Sequence, residues 1–549
     1  MFSRWNARRS TVLEVALIAV ACLLLFFFRL GGFGLLGADE PRYAQVAREM
    51  HDRNDWVTPV LYGQPWLEKP IAYYWGAIAA FKIFGVSDWA ARLPSATLAT
   101  LMTGFIYVFL RRFRPGMRVD GPLMVASAAL IFGFAHGAST DMVLAAPFAI
   151  AMLAWFGWRE SESRSWLLVS YVALAVATLA KGPVAPGLAF LILAVFCAVT
   201  RDWRSLGRTF WVPGILAFLA VALPWYVLVQ VRTPEFFRAF FLEHNLARFG
   251  TNMFRHKQPF WYYVPVVLLA TAPWTVLFLA AVVEGLRGWW KSRKSNVLAM
   301  DLFAAFLLVW FLVPVAFFSI SQSKLPGYIL PAVPPCLLLA AHYLQRRTEE
   351  DRPIPFWMAG LHAALLGVLA AAVVFSPSLV LKVAATRQAI VIAAVAGTLT
   401  LLAVGRLLLS RGWRAMRAAT LVPLVLMVSF VLRVVSSSVD LADSARPVAR
   451  LLTAVGVSPE TQVATFKVRR DVAFGMGFYR NQTAMAYEGL EISPGRRVTP
   501  PGMPPGEHVV IAREGSLPEL RELLPGRDLV LLGYFRPQRL EIYSVTAAR

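Results

Sequence analysis

Charge is scarce in this sequence. Only 16% of its 549 residues are Asp, Glu, Lys or Arg, while 58% are hydrophobic. That balance excludes a soluble globular protein of this length. Acids are the scarcer half, 32 against 54 Lys and Arg, which leaves a formal net charge of +22. No basic stripe interleaved with aromatics accompanies the excess, so nucleic acid is set aside as a partner. Cysteine is rarer still. Cys22, Cys197 and Cys336 lie in apolar segments without a Cys-x-x-Cys pair and read as small core residues. No internal repeat is visible, and with it goes the signature of the inverted halves found in many transporters.

What the chain has instead is long apolar runs. With boundaries soft by a few residues, they occupy 10–30, 90–112, 119–136, 139–158, 165–181, 183–200, 209–231, 261–285, 301–320, 328–344, 356–380, 386–409 and 416–436. Most reach the length of about 20 residues that a helix needs to cross a bilayer. The expected fold class is a polytopic α-helical membrane protein of about 13 transmembrane helices. The shorter run 71–86, with Tyr73, Tyr74 and Trp75, reads as an interfacial helix. Arg4, Arg8 and Arg9 ahead of the first run resemble a signal peptide. That run is long for one and further spans follow, so it reads as an uncleaved first helix. Residues 437–549 lack long apolar runs and are rich in Arg and Pro. β-like runs at 461–466, 508–513, 528–534 and 540–545, with helical stretches at 471–480 and 517–524, predict a small C-terminal α/β domain.

The positive-inside rule orients the spans. Arg111, Arg112, Arg114 and Arg118 follow the second, Arg159 and Arg164 the fourth, and Arg201, Arg204 and Arg208 the sixth. Arg287, Lys291, Arg293 and Lys294 follow the eighth, Arg346, Arg347 and Arg352 the tenth, and Arg411, Arg414 and Arg417 the twelfth. Those loops and the N-terminus are predicted to be cytoplasmic. The loops 31–89, 232–260, 321–327 and 381–385, the turns near 137–141 and 181–184, and the C-terminal domain are predicted to be external. The loop 232–260 is basic against this rule and needs a separate reason.

Sorted this way, ionisable residues from five segments converge on the external face. They are Asp39, Glu40, Arg42, Glu68 and Lys69; Asp141; Lys181; Glu243, His244, Arg248, Arg255 and His256; and Lys324 with Tyr328. Each alone has a structural reading: a helix cap for Asp39 or Asp141, a solvated turn for Glu68-Lys69, a snorkelling Lys181, loop histidines. Their convergence on one side of a membrane protein marks a site. The cations Lys69, Lys181, Arg248, Arg255 and Lys324 suit a phosphate at the membrane surface. Carboxylates beside them can orient an acceptor or steady a developing oxocarbenium charge. A lipid-linked phosphosugar fits both needs, with its phosphate as leaving group and its polyprenyl chain among the spans.

The motifs Asp39-Glu40-Pro41-Arg42-Tyr43-Ala44, Glu68-Lys69-Pro70-Ile71-Ala72, Lys181-Gly182, Phe241-Leu242-Glu243-His244, His256–Tyr263 and Lys324-Leu325-Pro326-Gly327-Tyr328 resemble, in order and spacing, the polyprenyl-phosphate-sugar glycosyltransferases of GT-C architecture. Within them the likeness is greatest to the bacterial lipid A aminoarabinose transferases, and it runs from about residue 10 to 345. The resemblance implies an inverting transferase of the bacterial inner membrane with a periplasmic site. Its donor would be undecaprenyl-phosphate 4-amino-4-deoxy-L-arabinose and its acceptor a lipid A phosphate, an activity that confers resistance to cationic peptides. It places Asp39 at the family's essential acid, Lys69 at the donor phosphate and Tyr328 on a loop near the lipid carrier. Glu68 and Asp141 are the further catalytic candidates, and Glu40, Arg42, Lys181, His244, Arg248, Arg255 and Lys324 the substrate-binding ones. A phosphate acceptor is already ionised at neutral pH. Asp39 is therefore better suited to positioning the sugar or stabilising charge than to abstracting a proton. Glu68 with His256 or His244 is a ligand set that suits zinc or a similar divalent cation. Rival readings are a relative carrying another sugar or a protein acceptor, and a transporter or flippase of a lipid-linked anion. A transporter would place its charges near mid-span, whereas these sit at span ends.

Overall fold

The computed structural model describes residues 2–247, 258–295, 301–493 and 496–546. Among them, nine helical stretches are long and apolar enough to cross a membrane. One of these, Arg387–Asp443, contains two helices joined by a 3-10 turn at Gly412–Ala415. Their outer faces carry Val12, Leu13, Leu101, Val108, Leu216, Val231 and Leu399, all exposed, as lipid-facing positions must be. The chain is thus a multi-pass membrane protein. The helices Phe356–Leu381 and Arg387–Arg411 approach so closely that a Cβ on Gly367 would lie 2.8 Å from the Gly397 carbonyl oxygen, the small-residue packing that membrane helices favour.

Two of the expected spans are broken. The run 119–136 forms the helices Asp120–Ser127 and Ala129–Ala135, with Ala128 extended at ψ 135. The run 261–285 forms Tyr263–Ala270 and Thr275–Ser295. The breaks face each other. The Ala129 N–H donates to the Ala272 carbonyl at 2.8 Å, and the Trp274 indole N–H to the Ser127 hydroxyl at 2.9 Å. Backbone freed inside a membrane needs a protein partner, and each break supplies one to the other.

At one end of the bundle the loop arginines meet the few acids present there. Arg118 pairs with Glu14 at 2.8 Å, Arg114 with Glu160 at 2.6 Å, Arg159 with Asp202 at 2.7 Å and Arg417 with Asp120 at 2.6 Å. The other end carries the residues singled out as a site.

There, Asp39–Asp52 forms a helix with two acids in its first turn, where the helix dipole favours them, and a proline tolerated at the third position. Its partner is the helix Ala72–Phe84, the run expected to be interfacial. Tyr73, Tyr74, Ala77 and Ile78 are fully buried in protein, and Ile83 and Phe84 near its end are its large exposed apolar residues. Gly76 permits the close approach: a Cβ there would come within 2.9 Å of Pro94 on the Asp88–Phe113 helix.

The C-terminal region holds a five-stranded sheet ordered Met485–Ala486, Val463–Phe466, His508–Arg513, Leu540–Val545, Leu529–Phe535. The first three strands run parallel and the last two join antiparallel. Strand alternation splits its core in two. Val509, Ile511 and Ile542 pack with Val448 and Met476, while Val510 and Tyr543 pack with Leu520. The helices Arg446–Ala454 and Arg470–Arg480 therefore cover one face, and the latter also packs on Asp39–Asp52.

Charges lock this region to the membrane helices. Arg446 binds Asp88 at 2.9 Å and Asp440 at 2.8 Å, the Tyr479 hydroxyl donates to Asp88 at 2.5 Å, and the Gly34 N–H donates to Asp440 at 2.7 Å. A Cβ on Gly34 would collide with Ser444 and Tyr479, so the chain leaving the first span needs glycine there.

Candidate active site

The polar residues at this end of the bundle form two groups. The first is built on the Asp39–Asp52 helix and the loop before Ala72–Phe84. Asp39 Oδ1 accepts from Arg42 one turn later at 2.5 Å, and Glu68 Oε2 lies 3.8 Å from the same guanidinium. Exposure separates the three. The Asp39 side chain is 60% exposed, against 7% for Arg42 and 6% for Glu68. Asp39 thus faces outward while Arg42 is enclosed, its guanidinium 5.0 Å from the Trp66 ring and 5.4 Å from that of Tyr43. Burial disfavours the Arg42 charge, but the carboxylates of Asp39 and then Glu68 outweigh it and hold Arg42 above its ordinary pKa. Asp39 is no side-chain helix cap, since the cap position is Ala38 and no side-chain bond is made there. Lys69 follows Glu68, half-buried.

The second group joins three helix ends. Asp141 opens Thr140–Ser161, where the Ser139 hydroxyl accepts from its N–H at 3.3 Å. Lys181 closes Arg164–Lys181, and its ammonium lies 2.5 Å from Asp141 Oδ1 and 5.8 Å from the centre of the Tyr328 ring. Gly327 sits against them: a Cβ there would lie 2.6 Å from Asp141 Oδ1. The structure thus brings together Asp39, Arg42 and Glu68 in one group, and Asp141, Lys181 and Tyr328 in the other.

Two residues expected to bind substrate make contacts within the protein. Glu40 is engaged by three groups of the fold. Its Oε2 accepts from Arg92 at 2.7 Å and from the Leu36 N–H at 2.9 Å, and its Oε1 accepts from the Ala138 N–H at 3.2 Å. It thereby ties the first group to the turn that precedes Asp141. Lys324, expected to hold phosphate, is buried, and its ammonium donates to the Ser321 carbonyl at 2.6 Å and the Gln258 carbonyl at 3.2 Å. It pins the loop that carries Tyr328. Arg248, Arg255, His256 and the side chain of His244 lie outside the described residues. Among the described residues no group of three or more His, Cys, Asp or Glu is placed to hold a metal ion.

Sequence reasoning missed Arg92, Phe474 and Arg470. Arg92 is fully buried and donates to the carbonyls of Leu30, Phe33 and Gly34 as well as to Glu40. An arginine inside an expected span was its available signal. Phe474 and Arg470 come from the C-terminal region and stand beside Arg42, with its guanidinium 5.7 Å from the Phe474 ring centre.

Residues 11–240 match the family described as dolichyl-phosphate-mannose-protein mannosyltransferase. The undecaprenyl phosphate-alpha-4-amino-4-deoxy-L-arabinose arabinosyl transferase of Edwardsiella ictaluri is 32% identical over 342 residues, 61% of this chain and 60% of that protein. The protein of the same name from Serratia proteamaculans is 32% identical over 361 residues, 64% of this chain and 63% of the relative. The chain therefore spans less than two thirds of these relatives' length in sequence. In three dimensions it resembles ArnT from Cupriavidus metallidurans bound to undecaprenyl phosphate, at 25% identity and a TM-score of 0.77, covering 96% of this chain and 97% of the other.

Proposed function

We propose, for a chain similar in sequence and fold to glycosyltransferases that use polyprenyl-phosphate sugars, the transfer of 4-amino-4-deoxy-L-arabinose from undecaprenyl phosphate to a phosphate of lipid A. The reaction takes place at the periplasmic face of the bacterial inner membrane, with the N-terminus cytoplasmic and the C-terminal region periplasmic. The observation that carries the reading is the exposed Asp39 carboxylate, held by a buried arginine at the end of the bundle opposite the arginine-rich loops. Likeness to a protein solved with undecaprenyl phosphate supports the choice of lipid carrier.

The chemistry follows from the two groups. The acceptor phosphate oxygen attacks the anomeric carbon while the bond to the polyprenyl phosphate breaks, with inversion. The leaving phosphate gains negative charge, and Lys69 at the membrane edge neutralises it. The donor chain lies along the span ends beside Lys181 and Tyr328. Asp39 binds the sugar's ammonium and stabilises the positive charge developing at the ring, which requires an oriented carboxylate rather than a base. Arg42, locked by Glu68 and Trp66, fixes that orientation.

The test is transfer by the purified protein from defined polyprenyl-phosphate sugars to lipid A, read by mass spectrometry. Aminoarabinose should move to lipid A. Transfer of hexoses only would reject the sugar, and transfer from no donor would reject the enzyme.

A further inference from the structure

The C-terminal region brings a second guanidinium to the aromatic ring that Arg42 approaches. Arg470 is the first residue of the helix Arg470–Arg480, which packs on Asp39–Asp52. Its guanidinium carbon lies 5.8 Å from the centre of the Phe474 ring, the same ring that Arg42 approaches to 5.7 Å. The ring is a rigid platform. It is fully buried and stacks on Tyr62 at 6.4 Å with 5° between the planes, and a Cβ on Gly477 would crowd the Tyr62 ring at 3.0 Å. Arg42 is enclosed, whereas Arg470 is exposed. Burial and the like charge of Arg42 disfavour the Arg470 cation, and the carboxylates of Asp39, Glu68 and Glu491 favour it.

This arrangement answers a difficulty in the transfer reaction. A phosphomonoester carries a charge of about −1.5 to −2. To reach the sugar it must approach an exposed carboxylate, Asp39, and like charges at that distance repel. The cations nearest the carrier lipid, Lys69 and Lys181, sit on the loop and helix end that adjoin the spans. Arg470 does not. It reaches the cluster from outside the spans, at the start of the helix Arg470–Arg480. Arginine also matches a phosphate through two parallel hydrogen bonds.

We propose that Arg470 binds the acceptor's phosphate, so that the C-terminal region supplies part of acceptor recognition while the spans hold the donor. This rests on the transfer reading above. The decisive experiment uses the full-length protein in detergent micelles, with two readouts for the wild type, Arg470→Ala, Arg470→Gln and Arg470→Lys. The first is steady-state transfer with lipid A and the donor varied in turn. The second is equilibrium binding of lipid A without donor.

In Arg470→Ala and Arg470→Gln the acceptor KM and the lipid A Kd should each rise roughly ten- to a hundredfold, the weight of a charge-assisted contact. The donor KM should stay within about threefold, and Arg470→Lys should recover part of the loss. Unchanged lipid A binding in a folded variant, or an equal rise in the donor KM, would overturn the proposal. The two readings fail separately. Arg470-dependent lipid A binding without transfer sinks the enzyme assignment, whereas transfer with Arg470-independent binding sinks only the acceptor site.

Discussion

Glu40→Gln separates scaffold from site most sharply. Glu40 neighbours Asp39, yet its two oxygens accept from Arg92, Leu36 and Ala138. Glutamine keeps the shape and replaces one oxygen with an NH2 group. Whichever way the amide turns, a donor then faces a donor, either the Arg92 guanidinium and Leu36 N–H or the Ala138 N–H. The charge opposite Arg92, which is fully buried, is lost at the same time. Breaking a buried pair from one side costs about 3 to 5 kcal/mol. Arg92 keeps three carbonyl partners, so the lower end applies, about 3 kcal/mol or roughly a hundredfold in the folding equilibrium. The measurement is thermal unfolding in detergent, followed by loss of the monodisperse peak and paired with transfer per folded molecule at low temperature. Glu40→Gln should melt several degrees below the wild type while keeping most of its specific activity. A Glu40→Gln/Arg92→Met cycle should show coupling above 1 kcal/mol, because removing both charges leaves no unpaired one. A variant that melts like the wild type and transfers nothing would refute the scaffold role and return Glu40 to the substrate.

Asp39→Asn and Lys69→Ala should fold normally and lose transfer by at least about a hundredfold, the scale of losing one preorganised charge at a reacting centre; near-full activity in either removes that residue from the mechanism. Gly327→Ala should lower activity about tenfold by pushing Asp141 away from Lys181, since the new methyl would lie 2.6 Å from Asp141 Oδ1; an unchanged rate would mean that this pair need not be fixed. In the C-terminal sheet, His508 Nδ1 faces the Gly506 carbonyl at 3.0 Å and its Nε2 faces the Tyr487 hydroxyl at 2.7 Å. Burial lowers the pKa of His508 below its ordinary 6.5, so the unfolded state binds the proton more tightly. Its stabilisation is complete above pH 6.5 and fades as pH falls toward the folded-state value. Unfolding followed between pH 5 and 8 should show this loss, and His508→Gln should flatten it; an identical slope in the variant refutes the assignment.

The legible parts of this protein were those where a polar residue interrupts an apolar background. Asp39, Arg42, Glu68, Asp141 and Lys181 stand out that way, and the arginine pattern of alternate loops separates the two ends. Arg470 had no such contrast, lying in a region already rich in arginine. Asp39 and Glu40 could not be told apart in sequence, because adjacent helical positions differ by about 100° in direction. One therefore faces solvent and the other the scaffold. Lys324 read as a free cation because its carbonyl partners, Ser321 and Gln258, are set by loop geometry. The break at Ala128 carries neither glycine nor proline at the extended residue, so nothing local announced it.

That break also constrains how the protein is made. A nascent chain meets the bilayer in sequence order. When the segment around Ala128 enters it, the residue that accepts from the Ala129 N–H, Ala272, has not yet been synthesised. Until then this span must remain continuous, sheltered by the insertion machinery, or wetted. The bond that satisfies its bend therefore forms late, with chain translated long afterwards.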